Sequence, residues 1–352
     1  MALKVDSMMS YVCLMMLAFM LFGCEHRELV DPYNGHYLRI YIDEQIKNVT
    51  YGFFDENRER PEYIRPKALR VVLTDPITDE IITERYLQTF GEDERGYYID
   101  GYISAVEGDY NMIVYNFGTE RTKVRKEYNY NEMQAYTSNI PESYYKYFPS
   151  VRADLDEKTI RYCPDHLFLA KCQPIKISKS EYVDTLRTAE GDFFTAHSIV
   201  LSYYIQVKIK GLNYVRTAVS LLSGMAGSTT LCNSKMNSND PVNIFFDMNY
   251  TDVKQVREDN KKSAILYTTF NTFGKLPDQD NIYTLNFEFT RNDGTSQVET
   301  IDITSMFDDP MVVNERWILL EKEIEIDPPS GDGGGLNPGV DEWGDVWTDI
   351  QL

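Results

Sequence analysis

Apolar and polar residues alternate along most of this chain. Leu38, Ile40 and Ile42 share one face of an extended segment, and Tyr37, Arg39 and Tyr41 share the other. A two-residue period marks a half-buried strand, because successive side chains leave the pleated backbone on opposite sides. The same reading predicts strands over 68–74, 81–87, 97–105, 110–117 and 167–177. Turn signals separate them at Asp75-Pro76, Gly91 and Gly108-Asp109. Residues 120–160 are polar and Tyr-rich without a clear period, and are expected to form a long excursion with one short helix. Residues 178–195, rich in Ser, Thr, Asp and Glu, read as a connector.

The second half repeats the theme. Ile199, Leu201, Tyr203, Ile205, Val207 and Ile209 alternate with Val200, Ser202, Tyr204, Gln206 and Lys208, and Gly211 ends the run. Further strands are expected over 215–222, 242–248, 264–270, 283–290, 298–303 and 318–326, with Asp293-Gly294 as a hairpin turn. With about six short strands in each half and almost no helical period, the pattern predicts an all-β chain of two antiparallel β-sandwich domains in tandem. The first domain spans 37–177 and the second 178–327.

The two ends differ from this pattern. Tyr11 to Phe22 is a run of twelve apolar, uncharged residues. A membrane-spanning helix needs about 20, so the run suits the apolar core of a secretion signal instead. Residues 1–23 are therefore read as a signal peptide, with translation starting at Met1, Met8 or Met9, and residues 24–36 as a polar tether. At the other end Pro328-Pro329 stops the last strand, since proline cannot donate to a ladder. Residues 328–352 form a Gly-rich linker and a short terminal strand, in which Val346, Thr348, Ile350 and Leu352 alternate with Trp347, Asp349 and Gln351. Val346, Trp347, Ile350 and Leu352 can be offered to another subunit by strand addition, or can fold back on their own domain.

Charge narrows the partners. The formal charge is −20, which argues against nucleic acid and against electrostatic capture by anionic lipid. The five cysteines are Cys13, Cys24, Cys163, Cys172 and Cys232. In an oxidising compartment Cys163 and Cys172 can form a disulfide; as buried free thiols they would serve as small apolar residues. The four histidines, His26, His36, His166 and His197, have no zinc-ligand spacing. No nucleophile elbow, phosphate loop or dinucleotide fingerprint occurs, so no catalytic residue, metal site or cofactor is assigned. Gly224 and Gly227 read as glycines of a bend or bulge. Tyr136, Tyr144, Tyr145, Tyr147 and Phe148 form an aromatic cluster. It either lids the sandwich or stacks on sugar rings, which keeps a surface glycan-binding protein as the alternative function.

Several short motifs resemble known families. Leu21-Phe22-Gly23-Cys24 resembles the lipobox of bacterial lipoproteins, which implies cleavage before Cys24 and acylation of its thiol, with palmitate-type chains holding the protein to the membrane. Pro164-Asp165-His166-Leu167-Phe168, Leu222-Ser223-Gly224-Met225-Ala226-Gly227 and Thr269-Phe270-Asn271-Thr272-Phe273-Gly274 resemble segments of a Bacteroides-type fimbrillin-associated lipoprotein family of unknown function, related to minor fimbrial anchor and accessory subunits. The resemblance implies two transthyretin-like β-sandwich domains, an outer-membrane lipoprotein facing the cell exterior, fimbrial subunits as partners through strand addition, and no enzymatic activity. Asp184-Thr185-Leu186 resembles the O-glycosylation signal of the same bacteria.

Overall fold

The computed structural model describes residues 35–44, 64–141, 143, 159–178, 184–252, 261–276 and 282–329. Within them the chain is all-β. The strands of the first half are β1 (His36–Ile42), β2 (Leu69–Thr74), β3 (Ile81–Leu87), β4 (Thr89–Asp93), β5 (Gly96–Ile103), β6 (Gly108–Asn116), β7 (Thr122–Arg125), β8 (Gln134–Thr137), β9 (Thr159–Tyr162) and β10 (Phe168–Ile177). Those of the second half are β11 (Phe194–Ser198), β12 (Leu201–Lys210), β13 (Val215–Ala226), β14 (Ser228–Thr230), β15 (Pro241–Asp247), β16 (Asn249–Asp252), β17 (Ser263–Thr272), β18 (Thr284–Arg291), β19 (Ser296–Asp302) and β20 (Trp317–Glu325).

One sheet runs β3-β2-β6-β10-β11-β1-β5-β4. Its two end strands, β3 and β4, are separated in the chain by Gln88 alone, so the sheet bends round on itself. The inner face carries the alternating residues expected from sequence, among them Leu38, Ile40, Val71, Ile99, Met112 and Phe168, in one buried cluster. A second cluster, including Ile205, Val207, Leu222, Ile244, Phe270 and Phe287, lies between a β16-β17-β12-β20 sheet and a β19-β18-β13-β15-β9 sheet. A third joins the outer face of the first sheet, through Val72, Ile113 and Tyr115, to Ala226, Leu231 and Phe273. A small β14-β8-β7 sheet ties the two halves beside it.

The structure differs from the sequence reading in three places. The ladders are not all antiparallel: β1 with β11, β12 with β20 and β15 with β9 are parallel. The long connections between those partners allow it, since a parallel pair cannot be closed by a tight turn. Gly91 lies inside β4, not at a turn. A Cβ there would stand 2.6 Å from the Tyr98 hydroxyl, so with any larger residue that ring would have to move aside. The stretch read as a connector contains the start of β11, which pairs with β1 and β10 of the first sheet, and the excursion contains β7, β8 and β9. The expected excursion helix falls largely on residues outside those described.

The bulge expectation at Gly224 is met. The register of β13 against β15 shifts between Leu222 and Met225, and Gly224 has φ +85°.

Candidate functional site

The three motif segments meet in space. Asn271 on β17 donates from Nδ2 to the Pro164 carbonyl at 2.9 Å, and the Ala226 amide donates to the Gly274 carbonyl at 2.9 Å. Beside this junction lies a half-open cleft of about 310 Å³. The turn Cys163-Pro164-Asp165 after β9 forms one wall, and the β15–β16 crossover and β17 form the others.

Asp165 holds the neighbouring loop. Its Oδ2 accepts from the Arg121 amide at 2.6 Å, and its carbonyl accepts from the Thr122 hydroxyl at 2.8 Å. Arg121 then places its guanidinium over the Tyr162 ring, 5.5 Å from the centroid. Asn271 is fixed from both ends, since its Oδ1 also accepts from the Ser202 hydroxyl at 2.7 Å. Ser202 and Ser198 bracket His166, at 3.4 and 3.3 Å from its two ring nitrogens. Burial lowers the His166 pKa, with the Asp165 carboxylate opposing, so the imidazole is kept neutral.

Behind the cleft Arg161 on β9 is 9% exposed. Its Nη2 donates to Asp240 Oδ1 at 2.8 Å and its Nη1 to the Gly227 carbonyl at 2.8 Å. Sequence reasoning missed this pair, because nothing local in Thr-Ile-Arg-Tyr marks the arginine as buried.

Cys163 lines the cleft as a free thiol, half-buried, donating to the Phe245 carbonyl at 3.7 Å. Burial pushes its pKa up to about 11. Cys172 lies on β10 opposite Met112, and its side chain is outside the described residues. Cys24, the terminal strand residues Val346, Trp347, Ile350 and Leu352, and Tyr144, Tyr145, Tyr147 and Phe148 also lie outside them. Tyr136 is on β8 with the Arg125 guanidinium 5.0 Å over its ring. Among the described residues no cluster of His, Cys, Asp or Glu is arranged to hold a metal ion, and no helix is long and apolar enough to cross a membrane.

Comparison with known proteins adds the lineage. A candidate fimbrium-anchoring subunit, Fim4B, of Bacteroides ovatus is 26% identical over 364 residues, covering 95% of each chain. A solved structure of a candidate adhesin from Bacteroides ovatus superposes with a TM-score of 0.54 at 22% identity, over 88% of this chain and 99% of that one, and so shares the fold. The fimbrial anchor protein Mfa2 of Porphyromonas gingivalis gives a TM-score of 0.42 at 12% identity, over 80% of this chain and 87% of that one. The resemblance to a family of unknown function related to fimbrial anchor subunits is borne out. The profile of a domain of unknown function, DUF5119, matches residues 65–247, half of the sequence or more, and the chain belongs to that family.

Proposed function

We propose that this chain is a fimbria-associated structural and adhesive subunit of the anchor or accessory kind. The observation that carries this reading is the similarity to the candidate fimbrium-anchoring subunit, which runs through 95% of both chains. The shared fold with a candidate adhesin supports it. In this reading the chain is two transthyretin-like β-sandwich domains in tandem, built around the two inner cores, with β11 completing the first and β9 edging the second. The role is architectural and not enzymatic. Residues 1–23 direct export, and acyl chains on Cys24 hold the protein to the outer membrane, facing the exterior. The segment 328–352 offers Val346, Trp347, Ile350 and Leu352 to a fimbrial partner, whose sheet edge supplies the ladder bonds.

The test is to shear surface filaments from cells and follow the full chain and a variant ending at Asp327. The full chain is expected to co-purify with filaments and the shortened one to remain in the outer membrane. If neither form is ever found with a filament, the fimbrial role fails. If the shortened protein instead melts at a lower temperature, the terminal strand belongs to its own domain. A Cys24→Ala variant is expected in the soluble fraction. Its retention in the membrane would remove lipid as the anchor.

A further inference from the structure

The cleft between β9, β16 and β17 has features that a structural role does not use. Its walls are locked before any ligand arrives. Asn271 is bonded to Pro164 and Ser202, and Asp165 is bonded to the Arg121 amide and the Thr122 hydroxyl. A preformed wall costs little ordering on binding. Its 310 Å³ lies at the small end of the roughly 300–1,000 Å³ range of ligand pockets. That is room for one compact small molecule.

The groups left over in the cleft define its chemistry. Arg39, Arg65, Arg70 and Arg161 are each paired with carboxylates. Arg121 has no ion pair with a carboxylate among the described residues, and its guanidinium lies 5.5 Å over the Tyr162 ring. The Asn249 amide and the Thr269 hydroxyl also have no protein partner among the described residues, and both line the same space. The cleft thus presents a fork of N–H donors, an amide that donates and accepts, and a hydroxyl, all beside an aromatic ring. Asp165 and Asp247 line the same cleft and outnumber its single guanidinium, which disfavours an anionic ligand. The guanidinium on Tyr162 disfavours a cation at the ring. A purely apolar ligand would leave the amide, hydroxyl and guanidinium unpaired as it displaced water. A neutral polyol ring fits what remains, since adjacent hydroxyls both donate and accept and can meet the guanidinium, the amide and the hydroxyl together.

We propose that this cleft binds a single neutral sugar ring, with its hydroxyls held by Arg121, Asn249 and Thr269 beside Tyr162. The site is independent of the Tyr136–Phe148 segment and of the fimbrial reading, and would give an architectural subunit a receptor function.

Cys163 supplies a slow-reacting reporter, because this residue lines the cleft and its half-buried thiol is free, bonded to the Phe245 carbonyl. The experiment uses the full chain in detergent and reducing buffer. Methyl glucoside, methyl galactoside, methyl mannoside and N-acetylglucosamine are the probes, with glucuronate as the anionic control. Saturation-transfer NMR reads binding, and mass spectrometry of the Cys163 peptide reads its alkylation rate by N-ethylmaleimide. At least one neutral probe is expected to show transfer and to slow Cys163 alkylation several-fold. Arg121→Ala and Asn249→Ala, both at exposed positions, are each expected to weaken binding about tenfold with unchanged melting temperature. The proposal is overturned if no neutral probe binds, if glucuronate alone binds, or if binding survives both substitutions without protecting Cys163.

Discussion

Arg161 shows what a buried charge requires in this fold. Its guanidinium is bonded to Asp240 and to the Gly227 carbonyl, while Asp240 also accepts from the Ser228 hydroxyl at 2.9 Å. Removing the carboxylate leaves the cation buried without its counter-charge, which costs about 3–5 kcal/mol. Asp240→Ala is therefore expected to lower urea stability by about 3 kcal/mol. A loss under about 1 kcal/mol would mean that water reaches the guanidinium. His166 makes a prediction of opposite kind. Its folded pKa is lowered, so the unfolded chain takes up the proton first, near pH 6.5. The stability it contributes is complete above that pH and is lost as pH falls towards the folded value. His166→Gln should flatten the decline of stability just below pH 6.5 relative to the parent chain, measured by denaturant titration at several pH values. An unchanged slope would remove His166 as its source.

At the scale of an element, β13 and β20 show how irregularity is used. Gly224 takes φ +85° inside β13, and a Cβ there would stand 3.0 Å from the Ile282 carbonyl. Its bulge lets the strand turn so that Ala226 bonds to Gly274. Gly224→Ala adds both a strained backbone and a close contact, at about 1–3 kcal/mol. The melting temperature is expected to fall by several degrees; no change would show that the bulge relaxes freely. β20 is an edge strand whose register against β12 shifts between Val207 and Lys208. The extra residues bring charge to the edge, and Lys322 pairs with Glu299 at 3.2 Å. Gln297 satisfies the Glu325 carbonyl and the Asp327 amide from β19. Bulges and charges of this kind discourage uncontrolled edge pairing, so β20 is a poor acceptor for a further strand.

At the scale of the whole molecule, the third apolar cluster couples the halves. Val72, Ile113, Tyr115 and Leu169 come from one side, and Ala226, Leu231, Phe273 and Leu276 from the other. Phe273 is 5% exposed there, and truncating it to alanine is expected to cost about 3–5 kcal/mol. Since that loss falls on the junction, calorimetry of Phe273→Ala should resolve two melting transitions where the parent shows one. A single sharp transition in both proteins would place the coupling in the β14-β8-β7 sheet instead.

The sequence alone determined the all-β character and the long strands. In β17 buried and half-buried residues alternate strictly, and in β1 and β18 nearly so, so position on the pleat is written in polarity there, whereas β12 is buried on both faces from Ser202 to Val207. It also marked the Gly294 turn, because positive φ has a residue signature. It flagged Pro164-Asp165 and Asn271 as parts of distinctive motifs, though not as neighbours. Only the tertiary structure decided β4, β9 and β11, which are too short to show a period and take partners far away in the chain. The parallel ladders and the cleft were equally illegible. Arg121, Tyr162, Asn249 and Thr269 come from separate segments, and no local pattern records which of them will meet. Alternation fixes which way a side chain faces, whereas long-range pairing fixes what it faces.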